Sequence, residues 1–199
     1  DSPVYFVTEL KGTIKVVTND RSVYPFAEDF FYIEPQEELP STKGEVGLAG
    51  ICLDPSRGYI FVTFAYTDAN GDLRNNIVRF NTKPTTFALR SAGYVAFTDI
   101  FVNDLSAHSH QIGPCQIDGT FLYVSIGDGH KPSFSQVNDS TLGKILKMTL
   151  DGEPAEENPY GNQSSIPEPS NYVWAKGFRN PFGLKIVDGR IFVADNGMY

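Results

Sequence analysis

Three residues with complementary chemistry occur at corresponding points of the sequence, each in a loop that leads into a short apolar segment. They are a carboxylate, an imidazole and a guanidinium, provided by Glu45, His110 and Arg179. A neutral imidazole accepts a proton near pH 7, so His110 is a candidate general base. The carboxylate of Asp128 could fix the tautomer of His110, and the permanent charge of Arg179 could stabilise an oxygen that gains negative charge. These residue types predict proton removal from a bound substrate, with the resulting charge stabilised nearby.

Simpler interpretations of the same residues stay open at this point. His110 can be a hydrogen-bonded loop histidine, and Arg179 can be the structural ion-pair partner of a nearby carboxylate. His108 and His110 are two positions apart and would share one face of a strand, which is compatible with metal binding. No third ligand has a clear spacing, although His130 lies within reach along the chain.

The elements that must position these residues are short strands. Runs such as 59–64 are rich in β-branched and aromatic residues and are bounded by Gly, Pro, Asn or Asp, which is typical of strands. No amphipathic helical stripe of useful length occurs, and the expected helical piece is a short turn within 135–142. The pattern predicts an all-β protein.

A repeated unit orders these strands. The triplet aromatic-Val-small occurs four times at intervals of 55 to 69 residues, beginning at Phe6, Phe61, Tyr123 and Phe192. An apolar strand and a tight turn precede each of the last three copies, and Asp-Gly pairs in two of these turns favour hairpins. Each of the first three triplets is followed by another strand. A unit of about four antiparallel strands is typical of a β-propeller blade, while a long β-sandwich is the alternative.

At this unit length, residues 1–199 hold about three blades and the start of a fourth. Propellers close with about four to eight blades, so we expect one partial propeller domain, 1–199, that belongs to a longer chain and is inactive by itself. The loops that enter the innermost strands of a propeller converge on its central channel. We therefore expect Glu45, His110 and Arg179 to meet there.

Composition limits the classes of partner. The chain has 16 Lys+Arg and 24 Asp+Glu residues, a formal net charge of −8, and this acidic balance disfavours nucleic acids and anionic membranes. No apolar run approaches the ~18 residues that a membrane-spanning helix needs. The first residue is Asp1 rather than Met, which predicts either a removed signal peptide or a cut N-terminus.

The two cysteines, Cys52 and Cys115, occupy matching places in the inner strands of adjacent units. They are too few for a disulfide scaffold and lack the spacing of metal ligands. Buried free thiols are the default interpretation, and a disulfide is the alternative.

Four segments resemble the glucose/sorbosone dehydrogenase family of soluble sugar dehydrogenases that use pyrroloquinoline quinone (PQQ). Their order and approximate spacing agree with that family, and the resemblance runs from about Val4 to Tyr199. The segments are Gly44–Pro55, His110–Gly129, Leu142–Lys147 and Trp174–Leu184.

The resemblance implies a six-bladed β-propeller that binds PQQ with Ca²⁺ in its channel and oxidises an aldose at the anomeric hydroxyl. His110 matches the base that removes the hydroxyl proton while hydride passes to the quinone, and Asp128 matches its supporting carboxylate. Arg179 and Asn180 match residues that contact PQQ, and Glu45 falls where a polar residue faces the sugar.

The same resemblance implies that the backbone carbonyls of Gly197 and Met198 hold the calcium, a hard cation that prefers oxygen ligands. It also implies an extracellular or periplasmic location, a small-molecule sugar substrate and a separate electron acceptor.

Gln111-Ile112-Gly113 departs from the family, many of whose members have glycines after the histidine. The basic residues that clamp the PQQ carboxylates would lie beyond Tyr199. Related propellers serve other roles, so a non-catalytic module that binds a protein or carbohydrate, or a calcium-dependent lactonase, is the alternative.

Overall fold

The computed structural model describes residues 1–31, 45–161 and 168–197, and most of its regular secondary structure is strand. The strands are β1 Pro3–Thr8, β2 Ile14–Thr18, β3 Val23–Ala27, β4 Leu48–Asp54, β5 Tyr59–Thr67, β6 Leu73–Asn81, β7 Tyr94–Ala96, β8 Ile112–Asp118, β9 Phe121–Ile126, β10 Lys144–Thr149, β11 Val173–Lys176, β12 Pro181–Val187 and β13 Arg190–Asp195. Short 3₁₀ helices cover Thr98–Phe101 and Pro132–Ser135, and α1 covers Pro169–Tyr172. The all-β prediction is confirmed.

The short helical turn is displaced from the expected segment 135–142. It begins at Pro132 and ends at Ser135, because the fixed φ of proline suits the first helical position. Helix α1 likewise has a proline, Pro169, in its first turn.

The strands form four antiparallel sheets in the order of the chain. The first contains β1 to β3, the second β4 to β7, the third β8 to β11, and the fourth β12 and β13. The first strands of the last three sheets, β4, β8 and β12, are neighbours in space. Sheets that pack in sequence around adjacent inner strands are the blades of a propeller, so the predicted three blades and start of a fourth are confirmed.

The third residue of the repeated triplet joins one blade to the next. The Thr63 hydroxyl on β5 donates to the carbonyl of Gly113 on β8 at 2.6 Å. The Ser125 hydroxyl on β9 donates in the same way to the carbonyl of Pro181 on β12 at 3.0 Å. A small hydroxyl residue at the end of the triplet therefore fixes the distance between successive blades.

The inner strands carry glycine where this contact is made. A Cβ at Gly50 would lie 2.7 Å from Thr63 Oγ1 and 2.9 Å from the carbonyl oxygen of Gly113, and a Cβ at Gly113 would lie 2.8 Å from Ser125 Oγ. These distances are shorter than side-chain atoms tolerate, so glycine permits the close approach of neighbouring blades.

The core consists of layers between blades, because both faces of a middle strand are buried. On β5, Ile60 and Val62 pack towards the first blade, while Phe61 packs towards the third. On β9, Leu122 packs towards the second blade and Tyr123 towards Leu184 of the fourth.

Cys52 and Cys115 form a disulfide that joins β4 to β8, with a Cα–Cα distance of 5.8 Å. The default interpretation of free buried thiols is therefore wrong. Matching positions on adjacent inner strands bring the two backbones within the usual span of a disulfide, and the bond links the second blade to the third.

Candidate active site

Each loop of interest enters an inner strand through a local irregularity in strand pairing. The pairing register shifts between Leu48 and Gly50 in β4, between Ile112 and Cys115 in β8, and between Pro181 and Gly183 in β12. Bulges of this kind bend a strand and re-aim the side chains near it. They lie directly after the loops that carry Glu45, His110 and Arg179.

His110 and Asp128 form a buried hydrogen-bonded pair. Nδ1 of His110 lies 2.7 Å from Oδ1 of Asp128, and the two side chains are 8% and 2% exposed. With Nδ1–H donating to the carboxylate, a neutral His110 carries its lone pair on Nε2. The pair therefore has the arrangement that a general base requires.

The backbone fixes this pair from both sides. The Asp128 N–H donates to the Arg179 carbonyl at 2.7 Å, and the Gly129 N–H donates to the His110 carbonyl at 3.1 Å. His110 itself has a φ of 57°, a left-handed conformation that is uncommon for residues other than glycine. Strained backbone of this kind persists where surrounding contacts hold it, frequently at functional sites.

The loop that carries Arg179 is held by Asp195, which sequence reasoning missed. The Asp195 carboxylate accepts the backbone N–H of Arg179 at 3.1 Å and that of Asn180 at 2.7 Å. The Arg179 guanidinium donates to the Asn196 carbonyl at 2.8 Å, and within the described residues it forms no ion pair with Glu45 or Asp128. Asp195 directly follows the fourth copy of the repeated triplet, which was the available signal.

His110 and Arg179 share a cleft of about 390 Å³, here called the His110 cleft. The structure thus brings an imidazole, its carboxylate partner and a guanidinium to one opening. Gly197 also lines it, whereas Met198 lies outside the described residues. The lining includes His110, Asp128, His130, Phe178, Arg179 and Gly197.

Glu45 and Asn180 line a neighbouring cleft instead. This axial cleft lies between the inner strands and has a volume of about 310 Å³. Its lining includes Glu45, Leu48, Gln111, Pro114, Asn180 and Phe182. The predicted site residues are therefore divided between two adjacent clefts, and their roles stay predictions.

His130 is a further constituent of the His110 cleft. Its ring stacks on that of His110 with centroids 4.0 Å apart and an interplanar angle of 24°, and its backbone N–H donates to Asp128 Oδ1 at 2.9 Å. Sequence reasoning treated His130 only as a third metal ligand. Among the described residues, no group of three or more His, Cys, Asp or Glu side chains could hold a metal ion.

A buried lysine supports one wall of the His110 cleft. Nζ of Lys144 donates to the carbonyls of Phe134 and Leu142 at 2.7 and 2.6 Å, next to Ser135 of the lining. Desolvation lowers the pKa of Lys144 to about 8, although the nearby Asp104 carboxylate opposes the shift. Lys144 therefore positions the wall.

A family model for glucose/sorbosone dehydrogenases matches residues 1–199. The chain belongs to this family. A structure of the PQQ-bound aldose sugar dehydrogenase of Streptomyces coelicolor superposes with a TM-score of 0.74 at 26% identity, over 97% of this chain and 53% of that one.

Two curated relatives match shorter parts of the chain. The aldose sugar dehydrogenase YliI of Escherichia coli is 30% identical over 40% of this chain and 21% of its own length. The HIPL2 protein of Arabidopsis thaliana is 36% identical over 39% of this chain and 13% of its own. This family member spans about half the length of its solved relative. No helix in the described ranges is long and apolar enough to cross a bilayer.

Proposed function

We propose that the full-length protein is a PQQ-dependent dehydrogenase that oxidises an aldose at its anomeric hydroxyl, with His110 as the general base. The observation that carries the proposal is the buried hydrogen bond between His110 and Asp128 in a cleft shared with the Arg179 guanidinium. Family membership and the PQQ-bound relative support the same chemistry.

The residues of the His110 cleft fit an anionic, oxygen-rich cofactor. Arg179 donates one guanidinium hydrogen bond to the Asn196 carbonyl, which leaves further donors of its planar group for a carbonyl or carboxylate oxygen. The cleft is also lined by the aromatic side chains of His110, His130 and Phe178, against which a planar ring system would pack. When bound, PQQ would supply the two-electron oxidation of the sugar.

His110 would accept the proton of the anomeric hydroxyl at Nε2, because its Nδ1 is bonded to Asp128. The Asp128 carboxylate would then stabilise the imidazolium that forms. Arg179 would hold the oxygen on which negative charge develops. The hydrogen bond between His110 and Asp128 and the place of Arg179 in the same cleft support these roles.

The backbone carbonyls of Gly197 and Met198, the pair that the resemblance implies, would hold the calcium. Gly197 lines the His110 cleft, and a carbonyl is a suitable ligand for a hard cation. Adding Ca²⁺ is therefore expected to raise the affinity of the full-length protein for PQQ, and chelation is expected to lower it.

The test uses the full-length protein reconstituted with PQQ and Ca²⁺, an artificial dye as electron acceptor and a panel of aldoses. We expect aldose-dependent dye reduction that disappears when PQQ is omitted. If the protein neither binds PQQ nor turns over any aldose, the enzyme proposal is refuted. A non-catalytic propeller that binds a protein or carbohydrate, the alternative interpretation, would then be favoured.

We also propose an extracellular or periplasmic location. The disulfide between Cys52 and Cys115 supports it, because disulfides persist mainly in oxidising compartments. Fractionation of cells that express the full-length protein tests the location, and recovery in the cytosol with reduced thiols would contradict it.

A further inference from the structure

His130 lies at the surface of the His110 cleft, against one face of the His110 ring. The two rings stack with centroids 4.0 Å apart and an interplanar angle of 24°. His110 is only 6% exposed, whereas His130 is an exposed residue. His130 is therefore the outer ring of this stack, and the proposed base is the inner one.

Ser109 and Asp128 hold His130 in this position. The Ser109 hydroxyl is hydrogen-bonded to Nε2 of His130 at 2.5 Å, and the backbone N–H of His130 donates to Oδ1 of Asp128 at 2.9 Å. The same Oδ1 lies 2.7 Å from Nδ1 of His110. One carboxylate oxygen thus joins the two histidines, while Ser109, which directly precedes His110 in the chain, restrains the His130 side chain.

The hydrogen bond to Asp128 restrains one atom of the His110 ring but not the plane of that ring. The χ2 torsion of a histidine side chain has a broad energy profile, so the ring can tilt while Nδ1 keeps its partner. A second ring stacked at 4.0 Å restricts this tilt. Proton transfer needs Nε2 close to the hydroxyl and aligned with it. The stacked contact therefore helps to direct the lone pair that would accept the proton.

We propose that His130, held by Ser109, is a positioning residue that keeps the His110 ring in the orientation required for removing the sugar proton. The inference rests on the proposed function. His130 acts through His110 and needs no contact with the sugar. Its face also lies against the imidazolium that forms on His110, and the face of a neutral aromatic ring attracts a positive charge. Loss of this ring should therefore lower the rate of proton transfer more than the affinity for the sugar.

The first test measures turnover in full-length wild type, His130→Ala and His130→Phe, each reconstituted with PQQ and Ca²⁺. We expect His130→Ala to lower kcat by about tenfold or more with KM within about twofold of wild type, because the base loses its orientation. His130→Phe should recover kcat to within about threefold of wild type, since it restores a ring that can stack. The chain tolerates phenylalanine with such a backbone conformation, because Phe87 has a φ of 52°.

Lys131→Ala is the matched control for these variants. Lys131 adjoins His130 in the chain, but its ammonium packs over the Phe134 ring and it does not belong to the described lining of the His110 cleft. Its turnover should equal that of wild type. If His130→Phe is as slow as His130→Ala, the ring contact does not position the base and the proposal fails.

Ser109 provides a second test, because its proposed role depends on His130. Ser109→Ala should lower kcat by about threefold in the wild-type background and have no effect in the His130→Phe background, whose ring cannot bond to the serine. An equal loss in the two backgrounds would overturn the role assigned to Ser109.

A measurement without cofactor or sugar tests the stack itself. In full-length protein with ¹³C-labelled histidine, the ring-proton resonances of His110 are assigned by their loss in His110→Ala. Because these protons experience the ring current of His130, their resonances should move in His130→Ala and stay in place in Lys131→Ala. Identical His110 resonances in wild type and His130→Ala overturn the inference. Full turnover in His130→Ala overturns it too but leaves the dehydrogenase proposal intact, whereas a wild type that oxidises no aldose refutes both.

Discussion

At the scale of single residues, the proposed chemistry depends on how His110 is held. Its Nδ1 is bonded to Asp128 at 2.7 Å, and its ring stacks on His130 at 4.0 Å. Both histidines have positive φ, 57° and 60°. The conformation is unfavourable for a histidine by itself, so the surrounding hydrogen bonds must maintain it.

On the proposed function, replacing His110 with alanine in the full-length protein should lower kcat by about 10²-fold or more, because the proposed general base is lost. PQQ affinity should stay within a few-fold of wild type, since the guanidinium of Arg179 is retained. Steady-state dye reduction and PQQ titration measure the two effects. His108→Ala, in the same loop but outside the lining of the His110 cleft, is the control. Turnover at the wild-type rate in His110→Ala would exclude the assignment.

The burial of Lys144 leads to a prediction about how the free energy of unfolding depends on pH. Burial lowers its pKa in the folded state from 10.5 to about 8, so between these values the unfolded chain binds more protons than the folded one. Stability conferred through this group therefore rises with pH across that window. In urea titrations of the full-length protein, the free energy of unfolding of the wild type should rise relative to that of Lys144→Met. The rise should be at most about 1.4 kcal/mol per pH unit. A difference that is constant from pH 7 to 10 would contradict this.

At the scale of elements, the repeated triplet and the inner-strand glycines set the spacing of the blades. The hydroxyls of Thr63 and Ser125 reach across to the next inner strand, and the glycines there leave room for them. The irregular pairing at the start of each inner strand lies directly after the loops that carry Glu45, His110 and Arg179. The recurring sequence pattern thus has a physical cause in blade packing.

Thr63→Val should lower the free energy of unfolding of the full-length protein by about 1–2 kcal/mol, because the half-buried Gly113 carbonyl loses its hydroxyl donor. Thr67→Val is the matched control on β5, since the Thr67 hydroxyl is buried and has no partner in the described part of the chain. That control should be neutral or slightly stabilising. Equal losses for the two variants in urea titrations would argue against the interblade hydrogen bond.

At the scale of the whole molecule, stability comes from apolar layers between blades and from one covalent link. The two outermost sheets also expose large apolar side chains, with Phe182 59% and Phe192 58% exposed on the fourth sheet. Exposed aromatic surface favours association, so variants are best compared in the full-length protein.

The disulfide between Cys52 and Cys115 closes a loop with a sequence separation of 63 residues. Loop-closure entropy sets an upper value of roughly 4 kcal/mol for its contribution to stability. The double variant Cys52→Ser with Cys115→Ser should therefore unfold at lower urea concentration, with a loss of about 2–4 kcal/mol. A reductant should destabilise the wild type and leave the double variant unchanged. Insensitivity of the wild type to reduction would show that the link contributes little.

The strands, the turns and the blade repeat followed from local sequence, because alternating apolar residues and turn-forming pairs act over a few positions. The sequence also indicated that His110 and Asp128 could be a base and its supporting carboxylate, because both residues stand at loop ends of one blade. The contacts of Asp195 with the Arg179 loop and of His130 with His110 were not predicted, because they join loops distant in the chain.

The sequence by itself determined an all-β propeller architecture, its family and the residue types at the mouth of the channel. Only the tertiary structure decided that Cys52 and Cys115 pair, and that His110 with Arg179 face one cleft while Gln111 with Asn180 line another. Successive residues where a loop joins a strand can point to different sides, so a one-residue offset changes the cleft that a side chain enters. That offset depends on the bulged pairing of the inner strands, which long-range packing between blades sets.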